Sequence, residues 1–395
     1  MKLLIVVSSL DLKAPFSATP AWWQLMKALY ELGVDLVAAP YQGPAVESLW
    51  WRAMPNPARW QGEAFGALRD FARSLVPRRA ADSAGVAADD TRSDRAVRAT
   101  ARALIAPIWR RHLERILTRE RDFDALLFLT VPLNHLTGVP SYLSDKFDLP
   151  VFYLDGDVPA SLPNMKGFAS GFRIYQGADL SEYTAFISNS SGGEFMLRDL
   201  GARQAHTLWY GADPDVFCPV STPAQDLDVF FYGHGREYRA EWIDSMIAAP
   251  SREMPEAQFA ARGLNLGDIG AAIQLPYLSF SKLREYVCRS KLNLCITRGA
   301  HASVYASSSS RPFELAAMGA CIVANPYKGF AEWFEPGKEA VVVHSADEAV
   351  DRYRYLLAND NERAAIGRAA RERVLKQHTF SHRARELIDI IESYI

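Results

Sequence analysis

Leu3-Leu4-Ile5-Val6-Val7 offers no polar face, so a strand made of these residues has to be covered on both sides, as strands of parallel sheets are. After Ser8-Ser9-Leu10 the spacing turns helical from about residue 20 to residue 32, and Gly33 then leads into Val34-Asp35-Leu36-Val37. Strand, helix, strand at this spacing predicts a parallel βαβ unit. Apolar runs at 125–129, 151–154 and 185–188, each separated from the last by a helix-length segment, continue the alternation. Together they predict a doubly wound parallel sheet with helices on both faces.

The pattern breaks near Trp209-Tyr210-Gly211-Ala212-Asp213-Pro214, and residues 219–226 bring two prolines without apolar periodicity. A second alternation starts at 228–233 and returns at 292–296, 321–324 and 340–343. Single cores stop growing at roughly 250–300 residues. A chain of 395 residues with two such series is therefore expected to form two α/β domains, 1–214 and 215–377, facing a central cleft. Residues 347–377 read as helical, and 380–395 as one more amphipathic helix after a break at His378-Thr379. The stretch 44–121 is rich in Ala and Arg, with Trp50, Trp51, Trp60 and Trp109 interspersed. It is expected to form helices around a mobile loop at 77–94, and its tryptophans either line an apolar acceptor site or pack those helices.

Charge narrows the class of ligand. A formal net charge of −2 provides no general attraction to nucleic acid or an anionic membrane, so phosphate has to be held by a few placed cations, which points to a small anionic ligand. Cys218, Cys288, Cys295 and Cys321 show no C-x-x-C spacing and are expected to be reduced core residues. The apolar N-terminus is too short to span a bilayer and lacks a cleavage pattern, so no transmembrane segment and a cytoplasmic location are expected.

Ligands of open parallel sheets collect outside the carboxyl ends of the strands, where loops and helix N-termini converge. Directly after the opening strand of the second domain stands Tyr232-Gly233-His234-Gly235-Arg236-Glu237-Tyr238-Arg239. Its glycines, Gly233 and Gly235, flank His234 and allow the backbone close to a phosphate that Arg236 or Arg239 would neutralise; the plainer alternative is a turn with exposed arginines. A second candidate is Ser307-Ser308-Ser309-Ser310-Arg311-Pro312-Phe313-Glu314. Pro312 suits a helix's first turn, which puts Glu314 near the positive helix end, to accept hydrogen bonds from ribose hydroxyls or merely to complement the dipole. Ser309, Ser310 and Arg311 add donors for phosphate oxygens. Tyr277 either flanks a base or belongs to the core. His135, beyond Leu129-Thr130, would orient or deprotonate an acceptor hydroxyl, or be a satisfied loop histidine.

Arg311-Pro312-Phe313-Glu314-Leu315-Ala316-Ala317-Met318-Gly319-Ala320 and Trp333-Phe334-Glu335-Pro336-Gly337-Lys338-Glu339-Ala340 resemble the donor domain of spore-maturation-type (CgeB-like) glycosyltransferases, relatives of the large retaining GT-B group. Shorter matches follow in order at Leu200-Gly201-Ala202-Arg203, Gly211-Ala212-Asp213-Pro214, Ser290-Lys291-Leu292-Asn293-Leu294 and Thr379-Phe380-Ser381-His382. The resemblance covers about half the chain, chiefly its C-terminal part. It implies a GT-B fold of two Rossmann-like domains, a donor site in the second, and a final helix, 378–395, crossing back onto the first.

Carried over by position, Glu314 is the second glutamate of the family's E-x7-E motif, which holds the nucleotide ribose, and Ser307 stands where the first would be. Arg239 or Arg236 falls where relatives place a cation against the diphosphate, with Lys282 and Arg298 as further candidates. Tyr153-Leu154-Asp155-Gly156-Asp157-Val158-Pro159 is similar to an aromatic-x-x-Asp-x-Pro segment that faces the cleft. Asp157 is thereby assigned to acceptor contact or proton removal, or else to a structural turn. The implied activity is sugar transfer, with retention, from a UDP-, GDP- or dTDP-sugar to a hydroxyl or amine of a small-molecule, glycan or lipid-like acceptor. Arginines, serine hydroxyls and helix N–H groups suffice to stabilise a departing diphosphate, so neither a metal nor another cofactor is expected. An epimerase or hydrolase of the same architecture, or a nucleotide-sugar-binding protein without turnover, stands as the alternative.

Overall fold

Leu3, Leu4, Ile5, Val6 and Val7 have no exposed surface, and they form the middle of strand β1 (Lys2–Ser9). The computed structural model describes residues 1–11, 20–62, 92–163, 165, 174–222, 224–235 and 239–395. The first domain continues with α1 (Ala21–Glu31), β2 (Asp35–Gln42), β3 (Arg52–Ala53), α2 (Arg92–Arg119), β4 (Ala125–Leu129), α3 (Val139–Phe147), β5 (Val151–Asp155), β6 (Ala185–Ser188), α4 (Ser191–Asp199) and β7 (Ala205–Thr207). Its strands pair in parallel in the order β3-β2-β1-β4-β5-β6-β7. The direction of winding reverses between β1 and β4, and such a switch point opens a crevice beyond the strand ends.

The second domain contains β8 (Leu227–Tyr232), α5 (Ala240–Ile243), a π-turn at Asp244–Ala248, α6 (Ala249–Glu253), β9 (Phe259–Arg262), β10 (Ile273–Leu275), α7 (Phe280–Arg289), β11 (Ser290–Cys295), α8 (Gly299–Ser303), α9 (Ser310–Ala317), β12 (Ile322–Ala324), β13 (Val341–Val342), α10 (Ala346–Ala358) and α11 (Asp360–Gln377). Its sheet runs β10-β9-β8-β11-β12-β13, again parallel throughout, with the switch between β8 and β11. The strands β9 and β10 have no counterpart in the apolar runs of the sequence. Phe259-Ala260-Ala261-Arg262 is buried along its whole length, but alanine has no β-branched or aromatic side chain to signal a strand.

The last helix, α12 (Phe380–Glu392), is opened by a capping box between Thr379 and His382. Phe380, Ala384, Leu387 and Ile391 pack into the same core as Leu25, Met26 and Leu29 of α1, on the first domain's sheet. Lys27 of α1 holds Asp213 at 2.7 Å and Asp215 at 3.2 Å, which fixes the connection between the domains. Among the described residues no helix is long and apolar enough to cross a membrane.

Within 44–121, residues 63–91 lie outside the described residues, and with them most of the expected loop. Trp109 is fully buried and stacks on Tyr41 with centroids 5.7 Å apart, whereas Trp60 is 82% exposed. Trp51 is buried and donates to the Val46 carbonyl at 2.8 Å. Trp50 packs edge-on against Trp23 at 4.5 Å. Trp50 and Trp51 therefore brace the sheet edge against α1, and Trp50→Ala is expected to lower the unfolding free energy by about 1–2 kcal/mol, the worth of an aromatic pair and some buried area. Urea unfolding measures that loss, and nucleotide titration of the same variant should give an unchanged affinity.

Candidate active site

The crevice at the β1/β4 switch point is a cavity of about 330 Å³ lined by Ser8, Trp22, Leu25, Leu129, Thr130, Leu154, Gly156, Asp157, Asn189, Leu208, Tyr210, Phe380 and Arg383 among others. Its position follows from the sheet: β1, β4, β5 and β6 all end there, and α1 and α12 close its sides. Asp157 stands in it two residues beyond β5. Its own N–H donates to Asp155 at 2.9 Å, and the buried Asp155 carboxylate also receives the hydroxyls of Ser161 and, at 2.7 Å, Tyr175. Burial raises the pKa of Asp155 despite these bonds. Asp155 thus shapes the turn, and Asp157 reaches the cleft.

Across the cleft, the turn after β8 meets the first turns of α9. Tyr232 donates its hydroxyl to Glu314 at 3.1 Å, and the Arg311 guanidinium lies 4.3 Å above the Tyr232 ring. A Cβ on Gly233 would press on the Arg311 guanidinium, 2.6 Å from Nη1, and one on Gly263 would stand 1.6 Å from the Gly233 carbonyl oxygen, so Gly263 is needed for the strand ends to come this close. Glu314 is 4% exposed, and burial raises its pKa against the opposing pull of Arg311, Ser310 and Tyr232. One expectation needs correction. The helix opens at Ser310, with Ser309 as its cap, so Glu314 falls in the second turn, beyond the free N–H groups. The Tyr232 and Ser310 hydroxyls and the nearby Arg311 charge, not the free helix N–H groups, hold it.

Arg239 donates from Nε to the Ile296 carbonyl at 3.1 Å and from Nη1 to the His234 carbonyl at 2.9 Å, which ties the glycine turn to the end of β11. His234 is exposed, and Tyr277 is 52% exposed with the Arg262 guanidinium 4.8 Å above its ring. Arg236 lies outside the described residues.

The two domains meet in a polar seam. Asn189 donates to the Ser308 carbonyl at 2.7 Å, Ser308 returns its hydroxyl to the Asn189 carbonyl at 2.9 Å, and Ser190 pairs with Ser307 in an antiparallel bridge. Ser307, at the position of the family's first glutamate, is fully buried: its hydroxyl donates to the Val158 carbonyl at 2.7 Å and meets His301 Nδ1 at 2.9 Å. It is thus occupied by the seam and does not face a ligand. Ser309 and Ser310 remain half-buried at the start of α9.

Arg298, expected among the cations for the diphosphate, is paired across the seam with the first domain. Its guanidinium forms a two-pronged pair with Asp157 and also touches His301, whose Nε2 is 3.3 Å from the same carboxylate. Burial works against the Asp157 charge, but His301 and Arg298 together hold its pKa below the ordinary aspartate value. Sequence reasoning did not single out His301. The signal was present as Arg298-x-x-His301, which a short helix puts on one face.

His135 sits elsewhere. It is 5% exposed, packs in the first domain's core, and shares a 2.6 Å hydrogen bond with the Tyr41 hydroxyl. Burial, with Arg98 nearby, lowers its pKa to about 4. It does not line the cavity beside Asp157. Among the described residues no three His, Cys, Asp or Glu side chains form a group able to hold a metal ion. All four cysteines are free, with Cys295 and Cys321 buried.

The family model described as glycosyl transferase-like matches residues 239–389. No curated protein matches the sequence. Among solved structures, sucrose-phosphate synthase from Thermosynechococcus elongatus is similar with a TM-score of 0.66 at 15% identity, covering 100% of this chain and 99% of that one. HepE from Anabaena in complex with UDP and glucose gives 0.61 at 11% identity, with 100% of both chains covered. The E. coli trehalose-6-phosphate protein bound with UDP-2-fluoro glucose gives 0.63 at 12%, covering 98% of each. At these identities the likeness is one of fold: two parallel-sheet α/β domains in the GT-B arrangement.

Proposed function

We infer that this GT-B chain, with a glycosyl transferase-like match over 239–389, is a glycosyltransferase that moves a sugar from a nucleotide-activated donor to an acceptor hydroxyl held in the first domain. One juxtaposition carries the reading: Glu314, Tyr232 and Arg311 cluster against Gly233 in the second domain, and Asp157 of the first domain is tied to the same second domain through its pair with Arg298. Glu314 would accept the ribose hydroxyls, and Arg311, Arg239 and the N–H groups at the start of α9 would hold the diphosphate. HepE with UDP and the E. coli protein with UDP-2-fluoro glucose support a UDP-sugar as the first donor to test.

In the transfer, the acceptor oxygen bonds to the anomeric carbon while the bond to the diphosphate oxygen breaks and its electron pair leaves on the diphosphate. Cations and N–H groups aimed at that oxygen stabilise it most when its charge develops, so protein groups supply the electrophilic help and no metal is required by the scheme. Asp157, kept ionised by His301 and Arg298, orients the acceptor by accepting its hydroxyl hydrogen bond, but is a weak base for the same reason. The proton passes instead to the leaving diphosphate. Retention follows from the resemblance to the retaining GT-B group, and the anomeric proton coupling of the product tests it.

Incubation with UDP-, GDP- and dTDP-sugars, with and without acceptor, followed by separation of nucleotide, donor and conjugate, tests the function. A conjugate is expected. Isomerised donor or free sugar as the sole product would replace the transferase by an epimerase or hydrolase, and binding without any product would leave a nucleotide-sugar-binding protein. Asp157→Asn is expected to lower acceptor kcat/KM about 30-fold, near 2 kcal/mol for a lost charge-assisted hydrogen bond, and to leave nucleotide affinity within threefold.

A further inference from the structure

We propose that the acceptor is a compact, uncharged hydroxyl compound with an apolar body of one or two rings, a phenol or an alicyclic alcohol, and not a sugar or a sugar phosphate. The proposal rests on the glycosyltransferase reading and concerns the cavity beside Asp157. Its volume of about 330 Å³ is at the small end of small-molecule sites. Trp22, Leu25, Leu129, Leu154, Leu208 and Phe380 supply its apolar wall.

Three of the described polar side chains around that wall, those of Asn189, Tyr210 and Arg383, are already engaged, which leaves the small hydroxyls of Ser8 and Thr130 beside Asp157. Asn189 is satisfied at both ends, by the Ser308 carbonyl at 2.7 Å and the Val158 N–H at 2.9 Å. Tyr210 donates its hydroxyl to the Gly156 carbonyl at 2.7 Å. Arg383, the one cation among the described lining residues, is 2% exposed and gives its donors to the Tyr210 carbonyl at 3.1 Å, the Gln377 carbonyl at 3.3 Å and Glu386 at 2.5 Å. Asp157 is paired with Arg298 and His301 but keeps 27% of its side chain exposed, so among the described lining residues it is the charged group with surface and lone pairs still open to a ligand.

A polyol placed here would bury several hydroxyls against leucine and phenylalanine, and each one left without a partner costs roughly tenfold in affinity. A phosphate would sit beside the Asp157 carboxylate without an uncommitted described cation. An apolar ring with one hydroxyl has the opposite balance: the ring displaces water from the wall, and the hydroxyl donates to Asp157 on the side facing the second domain. From there its oxygen forms the bond to the anomeric carbon, the diphosphate departs with the electron pair of the broken bond, and the hydroxyl proton ends on the diphosphate.

The test uses the full chain. Nucleotide-sugar binding is first measured by calorimetry, which fixes the donor, and 2-naphthol, glucose and glucose 6-phosphate are then compared as acceptors and, by ligand-observed NMR, as ligands. We expect kcat/KM for 2-naphthol to exceed that for glucose at least tenfold, with glucose 6-phosphate the poorest. Trp22→Ala should raise the KM for 2-naphthol at least fivefold at unchanged nucleotide affinity, and Trp22→Phe should recover most of it. Glucose or glucose 6-phosphate matching or exceeding 2-naphthol overturns the acceptor class and leaves the transferase reading standing, as does a folded protein that binds the donor but not 2-naphthol. Absence of any nucleotide-sugar binding removes the transferase reading and the acceptor assignment with it.

Discussion

Glu314→Ala is expected to weaken nucleotide binding about 100-fold, close to 3 kcal/mol, while the protein stays folded. The size of the effect comes from two features of the site. Glu314 is almost wholly buried, so a carboxylate there acts in a medium that screens it poorly, and one of its oxygens already accepts from Tyr232 at 3.1 Å, which fixes its direction. Its removal also takes away the negative charge that the neighbouring Arg311 faces. Glu314→Gln preserves the shape and the Tyr232 bond but not the charge, and should cost only about tenfold. Calorimetric titration with UDP, GDP and dTDP measures both variants. Full affinity in a folded Glu314→Ala protein would take this residue out of the donor site.

Acidification is expected to destabilise the fold steeply, and two buried histidines are the main named cause. Burial, with Arg383, Arg373 and His382 nearby, lowers the pKa of His378 to about 3, and His135 is lowered to about 4. Both are neutral when folded and titrate near 6.5 when unfolded. Above pH 6.5 neither affects stability. As the pH falls below 6.5 the unfolded chain takes up two protons that the folded chain refuses, and stability drops by about 2 kcal/mol per pH unit until the folded values are approached. Asp155 and Glu314 act the other way, because burial raises their pKa and the folded state binds their protons first. The comparison that isolates the histidines is therefore urea unfolding at pH 7, 6 and 5 of the protein and of His135→Gln/His378→Gln. The double variant should lose about 2 kcal/mol per unit of this slope, and an equal slope in both proteins would show that the two rings do not control acid stability.

The local text of the chain was enough to place the strands that matter most. Runs such as 3–7, 125–129 and 292–296 are apolar without interruption because both faces of a parallel strand are covered, and β1, β4 and β11 lie on them. The same runs located the turns after β5, β8 and β11 where Asp157, Gly233 and Arg298 stand, since the residues beyond a strand's carboxyl end are adjacent in sequence to the strand itself. Short strands such as β9 were not legible, because Phe259-Ala260-Ala261-Arg262 acquires its extended form from pairing with β8 and β10 and not from its own side chains. Nor was the helix start that puts Glu314 in the second turn.

What the sequence determined, then, was the pair of parallel sheets and the loops at which chemistry is possible, because periodicity and burial are written within ten or so neighbouring residues. Only the tertiary structure decided which of those loops touch. Arg298 meets Asp157 across 141 positions, Ser307 is given to Val158 and His301 instead of to a ligand, and His135 turns to Tyr41 in the core. Partners so distant in the chain are selected by the packing of two whole domains against each other, and no segment carries that information alone.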